Sequence, residues 1–157
     1  MKLKVNGRQA ATLKRNLDLL AGHSRDRTPY FRKAGAYIEH KSVENFGKQS
    51  DPDGHPWKQL SPATLEARKR KGFGGDRILQ VRADLKNSIG IIEVWKNGVR
   101  VGPNSGVFQG IGRAHQHGRP EIGLDARPFM GFDSAGKQEK YLMNDLVHHV
   151  FRGVKNG

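Results

Sequence analysis

Apolar residues recur at helical spacing in three stretches of the chain. Leu13, Leu17 and Leu20 stand at i, i+4 and i+7, with Lys14, Arg15, Asn16 and Asp18 on the other face. That pattern predicts an amphipathic helix over residues 8–21, stopped by Gly22. A second helix is expected with Thr28 as N-cap and Pro29 in the first helical position, where a missing N–H costs nothing. Its inward stripe is Phe31, Ala34 with Gly35, Ile38, Ser42 and Phe46, and Gly47 ends it. The third stretch, Leu142, Leu146 and Val150, predicts a final helix over about 134–152. Between them, residues 49–60 form a breaker-rich loop. Ser61 and Pro62 then open a short helix ending in Arg68, Lys69, Arg70 and Lys71, cations suited to a helix C-terminus. Gly72-Phe73-Gly74-Gly75 reads as a mobile connector with Phe73 exposed.

Around Asn97-Gly98 the period changes to two, which predicts a β-hairpin with a type I′ turn. Pairing outward sets Lys96 opposite Val99, Trp95 opposite Arg100 and Val94 opposite Val101. Ile92, Val94, Val99 and Val101 are then the expected buried face. Ile91, Glu93, Trp95 and Arg100 form the other, with a cation–π contact between the last two. Residues 103–112 read as a Gly-rich loop and Arg113–Gly118 as a short third strand or turn. No period of 20–50 residues repeats. The expected fold is α+β: N-terminal helices and a C-terminal helix packed on a small antiparallel sheet containing the hairpin 89–102. One domain is expected over 1–157, divided into a helical part (1–48), a loop, helix and hairpin part (49–132) and a C-terminal helix and tail (133–157).

Composition narrows this picture. Leu, Ile, Val and Phe make up 36 of 157 residues, or about 23%, just above the roughly 20% below which a charged chain tends to stay disordered. With a mean hydropathy of -0.72, the core must be thin. Zero cysteines exclude disulfides, thiolate metal sites and a Cys nucleophile. No apolar run is long enough to span a membrane, and the first eight residues lack the apolar stretch of a secretory signal. A soluble chain assembled inside a cell is therefore expected. The net charge is +13, of which residues 1–50 carry +7. This admits a nucleic-acid reading, with the N-terminal half and Arg68, Lys69, Arg70 and Lys71 on phosphates. The chain lacks an aromatic RNA-binding core and zinc-finger spacing, so a basic surface that is solvated, or that faces acidic proteins, is preferred.

Few residues suggest chemistry. His115-Gln116-His117 would set two ring nitrogens on one side of a strand, with His148 and His149 as further candidates. No third ligand follows at metal-site spacing. Asp51 and Asp53 lack the rest of a calcium loop and fit an Asx turn. Gly110-Ile111-Gly112 lacks a dinucleotide fingerprint, and no phosphate-loop, zinc-protease or nucleophile-elbow motif occurs. No enzyme, metal or cofactor is expected. Two other segments carry more information. Trp57 stands among turn-forming residues, as a core anchor or a hot spot for a partner. Ala126-Arg127-Pro128-Phe129-Met130-Gly131-Phe132 demands burial, yet Pro128 confines it to an edge strand or arm.

These segments resemble the phage virion-morphogenesis (tail-completion) family of Mu-like phages and prophages. Four blocks carry the resemblance. They are Asp-Pro-Asp-Gly-x-Pro-Trp-x-x-Leu-Ser-Pro-x-Thr from Asp51 to Thr64; Ile78-Leu79 with Leu85-Lys86-Asn87-Ser88-Ile89; His115-Gln116-x-Gly118; and Ala126 to Gly131. His117, Asp125 and Arg82 depart from the family's usual residues. The resemblance implies a structural role at the tail or head–tail junction of a virion assembled in the bacterial host cytoplasm. It implies no catalysis, and contacts with other tail or neck proteins and with copies of itself, as a ring. Trp57, His115, His117, Arg127, Phe129 and Phe132 are the candidate assembly residues.

Overall fold

The computed structural model describes residues 7–154. The extreme N-terminus, read above as free of a signal, and the last residues of the expected tail lie outside the described residues. In order, the elements are α1 (Gly7–Arg25), α2 (Thr28–Lys48), α3 (Pro62–Arg70), α4 (Asp84–Asn87), β1 (Ile89–Trp95), β2 (Gly98–Pro103), α5 (Gly106–His117), a 3-10 turn (Pro120–Ile122) and α6 (Lys137–Phe151). The fold is α+β, with helices packed on a two-stranded antiparallel hairpin. No helix among the described residues is long and apolar enough to cross a membrane.

α2 is the spine. Thr28 is its first helical residue, and the Thr28 N–H goes to the Asp26 carboxylate at 3.0 Å. Tyr30, Ala34, Gly35, Ser42 and Phe46 form its buried face. At Gly35 the helix meets the hairpin so closely that a Cβ there would lie 2.7 Å from Val99 Cγ2 and 3.0 Å from Ile91 Cδ1. A side chain at this position would push the helix off the sheet. α3 begins as its sequence predicts, with Ser61 Oγ accepting from Thr64 N at 3.2 Å.

Several expectations are corrected. The hairpin pairs Trp95 with Gly98, Val94 with Val99 and Glu93 with Arg100, so Lys96 and Asn97 form the turn. Neither Asn97 nor Gly98 has positive φ, so no type I′ turn forms. A bulge between Ile91 and Glu93 leaves Ile92 unpaired and 39% exposed. Ile91, paired with Val101, takes its place on the face under α2. Arg100 does lie over Trp95, 6.0 Å from the ring centroid.

Residues 106–117 are neither loop nor strand but α5, capped by Ser105. Gly112 serves packing rather than flexibility. At Gly112 a Cβ would lie 3.0 Å from Pro103 and 3.4 Å from both Leu85 and Phe129. α1 runs through Gly22 to Arg25 and leaves Leu13 and Leu17 more than half exposed. Phe73 is half-buried, with the Arg82 guanidinium 5.0 Å from its ring centroid. α6 starts at Lys137, three residues after the expected position, behind Gly136 in the left-handed region.

Two apolar clusters result. The larger joins Phe46, Trp57, Ile78, Leu85, Ile89 and Phe129. The smaller joins Tyr30, Ala34 and Leu142, where α2 meets α6.

Candidate functional site

The loop after α2 is built to deliver Trp57. Gln49 ends the helix in a left-handed conformation (φ 57°), and its side-chain amide accepts from Ile78 N at 2.5 Å. Asp51 closes the turn: its backbone N–H donates to His55 O at 2.9 Å, and its carboxylate accepts from His55 N at 2.8 Å. Asp53 accepts from Ser134 N at 2.5 Å, which holds the Asp53 carboxyl below its ordinary pKa. Asp51, Asp53 and His55 therefore serve this turn, although their ligand-type atoms lie within 4.8 Å of one another. Trp57 N then donates to Gln49 O at 2.8 Å, and the indole enters the core edge-on to Phe46, 5.6 Å between centroids.

The indole N–H donates to Pro128 O at 2.8 Å and so meets the segment Arg127–Met130. This segment is not an edge strand. Side chains, together with one carbonyl of α5, satisfy its backbone instead. Arg127 N donates to His115 O at 2.6 Å. The Gln116 side-chain oxygen accepts from Phe129 N at 3.1 Å and Met130 N at 3.2 Å, and its amide N–H donates to Met130 O at 2.6 Å. Asn45 donates to Phe129 O at 3.1 Å. Pro128, which has no N–H, sits where no donor is needed. The four blocks singled out in the sequence thus converge on one core.

The candidate residues divide accordingly. Trp57, Arg127 and Phe129 are buried within the subunit, with Phe129 only 2% exposed. Phe132 is exposed. His115 and His117 are both on the last turn of α5, about 200° apart at 100° per residue, so they do not share a side. His117 is exposed, whereas His115 is half-buried and its Nδ1 is buried without a hydrogen-bond partner. Burial, and secondarily the nearby Arg127 charge, hold the His115 pKa below its ordinary value, so the ring is neutral at pH 7. Lys69, Arg70 and Lys71 are exposed, while Arg68 donates to Arg77 O at 2.9 Å. Gln49 and Asn45 were not singled out in the sequence, and Gln116 entered only as part of the third block. The only signal available was the Gln between the two histidines of the third block.

Two surface features remain. A groove of about 820 Å³ runs between α3, residues 78–85 and α5, with Leu124, Asp125 and Arg127 on its far wall. Away from it, α6 exposes Met143, Val147 and Phe151 at i, i+4 and i+8, each more than half exposed. α1 runs antiparallel to α6, with Leu19 beside Gly153 and the His23 ring 3.2 Å from Val150 O. Its first half, with Leu13 and Leu17, therefore lies beyond the end of α6.

A model of the phage virion morphogenesis family matches residues 9–150. The chain is 32% identical over 127 residues to the putative capsid assembly protein G of Escherichia phage Mu, a match covering 78% of this chain and 80% of that protein. No solved structure matches.

Proposed function

This chain belongs to the phage virion morphogenesis family, and from that premise we propose that it acts in tail completion or head–tail joining, by self-association and by binding other virion proteins. A structural or assembly role in the phage follows from the family itself. The finer reading rests on where the apolar surface lies. The segments that mark the family are spent inside the subunit, whereas Leu13, Leu17, Met143, Val147 and Phe151 are exposed on two helices at the far end. Five large apolar residues on neighbouring helices are an association surface in a chain with so little apolar content. The chain acts as one domain in this reading, placed at the tail or head–tail junction after assembly in the host cytoplasm. A ring is the natural product when one surface of a subunit meets a different surface of the next.

The test is the oligomeric state of purified protein by native mass spectrometry, with particle morphology by electron microscopy. The wild-type chain is expected to form a closed oligomer. Leu17→Glu with Val147→Glu is expected to give a folded monomer and unjoined heads and tails in a complementation assay. Joined, infectious particles from that double variant would remove the reading.

A further inference from the structure

Arg127 is a buried cation with no carboxylate partner among the described residues. The residue is only 7% exposed and lines the groove. Nε and Nη2 share one acceptor, Lys58 O, at 3.3 and 3.2 Å. Nη1 has no partner among the described residues, and no carboxylate pairs with the guanidinium. Asp125, two residues away, is held by Lys58 Nζ at 2.9 Å. A guanidinium carries five N–H donors and tolerates burial when an anion answers it. Beside it, His115 Nδ1 is also buried without a partner and lines the same groove. A cation with no carboxylate partner and an unsatisfied ring nitrogen therefore meet in one cleft.

The rest of the cleft says what should enter. Leu60, Phe73, Leu79, Phe108, Ile111 and Leu124 give it an apolar lining. Lys58, Arg68, Arg82 and Arg127 face it against Asp84 and Asp125, four cations to two carboxylates. Its volume of about 820 Å³ is in the range that accepts several side chains of a partner segment. Leu79 and Ala83 hold the wall in left-handed conformations, φ 59° and 60°, a strain that bulky or β-carbon-bearing residues adopt only where the surroundings enforce it.

We infer that this groove docks an acidic, apolar peptide segment of another virion protein, with a carboxylate on Arg127 and apolar side chains between α3 and α5. The inference rests on the assembly reading above only for the source of the peptide. A second copy of this chain is a poor occupant. It carries +13, and nowhere in its sequence are two acidic residues adjacent. Nucleic acid would leave the apolar lining uncovered.

Fluorescence anisotropy tests this with two probe sets. The first is a labelled synthetic peptide of alternating Asp, Leu and Phe residues, with its Asn-for-Asp counterpart. The second is a set of overlapping labelled peptides covering the other virion proteins of the same phage. The Asp peptide is expected to bind at least tenfold more tightly than the Asn peptide. Arg127→Gln and Ile111→Glu are each expected to weaken it at least tenfold, and Lys140→Gln, at an exposed position on α6, to leave it unchanged. Arg82→Glu, at an exposed position, provides the same test if Arg127→Gln does not fold. Equal binding of the two peptides, no binding of either, or displacement by a DNA oligonucleotide overturns the inference. If the Asp peptide binds but no virion peptide does, the groove chemistry stands and the virion source falls. If virion peptides bind and Ile111→Glu particles still assemble, the assembly reading fails at this surface.

Discussion

The two ends of α2 are packed by different means. At its C-terminal end Phe46 is fully buried between Trp57 and Phe129, with ring centroids at 5.6 and 5.0 Å. The side chains of Gln49, Gln116, Asn45 and Trp57 there hold backbone that belongs to no sheet. At its N-terminal end Tyr30 and Ala34 meet Leu142, and the polar ties are the Tyr30 hydroxyl donating to Leu142 O at 3.0 Å and the Lys33–Asp145 pair. Arg27 Nε and His149 Nε2 stay unsatisfied at that end, and large apolar side chains face solvent. One end is closed around its backbone by side-chain hydrogen bonds, with a groove open beside it. The other is a thin contact beside exposed apolar side chains.

Truncations should break this contrast most sharply. Phe129→Ala is expected to cost about 3–5 kcal/mol, against about 2 kcal/mol for Leu142→Ala, whose site lies near solvent and can relax. Urea unfolding measures both, and equal losses would mean that the two clusters are alike. The first value is a large part of a domain's usual ~5–15 kcal/mol. A double change of Phe129 and Phe132 therefore confounds folding with contact, and Phe132→Ser alone is the informative variant.

Polar substitutions sharpen the comparison at a smaller scale. Gln116→Leu strands two N–H groups and a carbonyl and is expected to cost roughly 3 kcal/mol, while Tyr30→Phe removes one hydrogen bond worth about 1 kcal/mol. The order should reverse if the smaller cluster is the true anchor.

Acid should reach the closed end first. His115 is held below its ordinary value of 6.5 when folded, so below that pH the unfolded chain binds more protons. Its contribution is complete above about pH 6.5 and is lost as pH falls toward the lower folded value. Thermal melts from pH 7.5 downward, in wild type and His115→Gln, should show a decline that the variant flattens. A separate loss is expected below the ordinary carboxylate value of 4.5, as Glu44, held at about 2 by Lys41 and Lys48, takes up its proton. The smallest effect belongs to the exposed end of α3. Replacing Arg68, Lys69 and Arg70 with Gln should shift the melting temperature by a few degrees, about 0.5 kcal/mol or less for each residue. A log-linear salt dependence of duplex DNA binding, lost in this triple variant, would revive the phosphate reading.

Local signals were readable in the sequence and tertiary ones were not. Ser61 and Pro62 announce α3 because a cap involves only its own first turn. Asn97-Gly98 marks the hairpin but not its register, which is set by the bulge at Ile92 and by Ile91 packing under Gly35. α5 hides behind its glycines, since the value of Gly112 depends on Pro103, Leu85 and Phe129, all distant in the chain. Trp57 and Phe129 stand out as residues that need a place. Gln116 does not, flanked by two histidines that look more reactive. What makes it matter is the bare backbone of Phe129 and Met130 opposite, and nothing in residues 115–117 foretells that.

α2 also has a mechanical meaning. Its 21 residues span roughly 32 Å at 1.5 Å per residue, and one continuous rod joins the open end to the closed one. A force applied at the α1 and α6 end would be carried along that rod into Asn45, Phe46 and Gln49, where Asn45 and Gln49 hold hydrogen bonds to Phe129 O and Ile78 N. Stress at the thin end would thus be borne at the well-tied one.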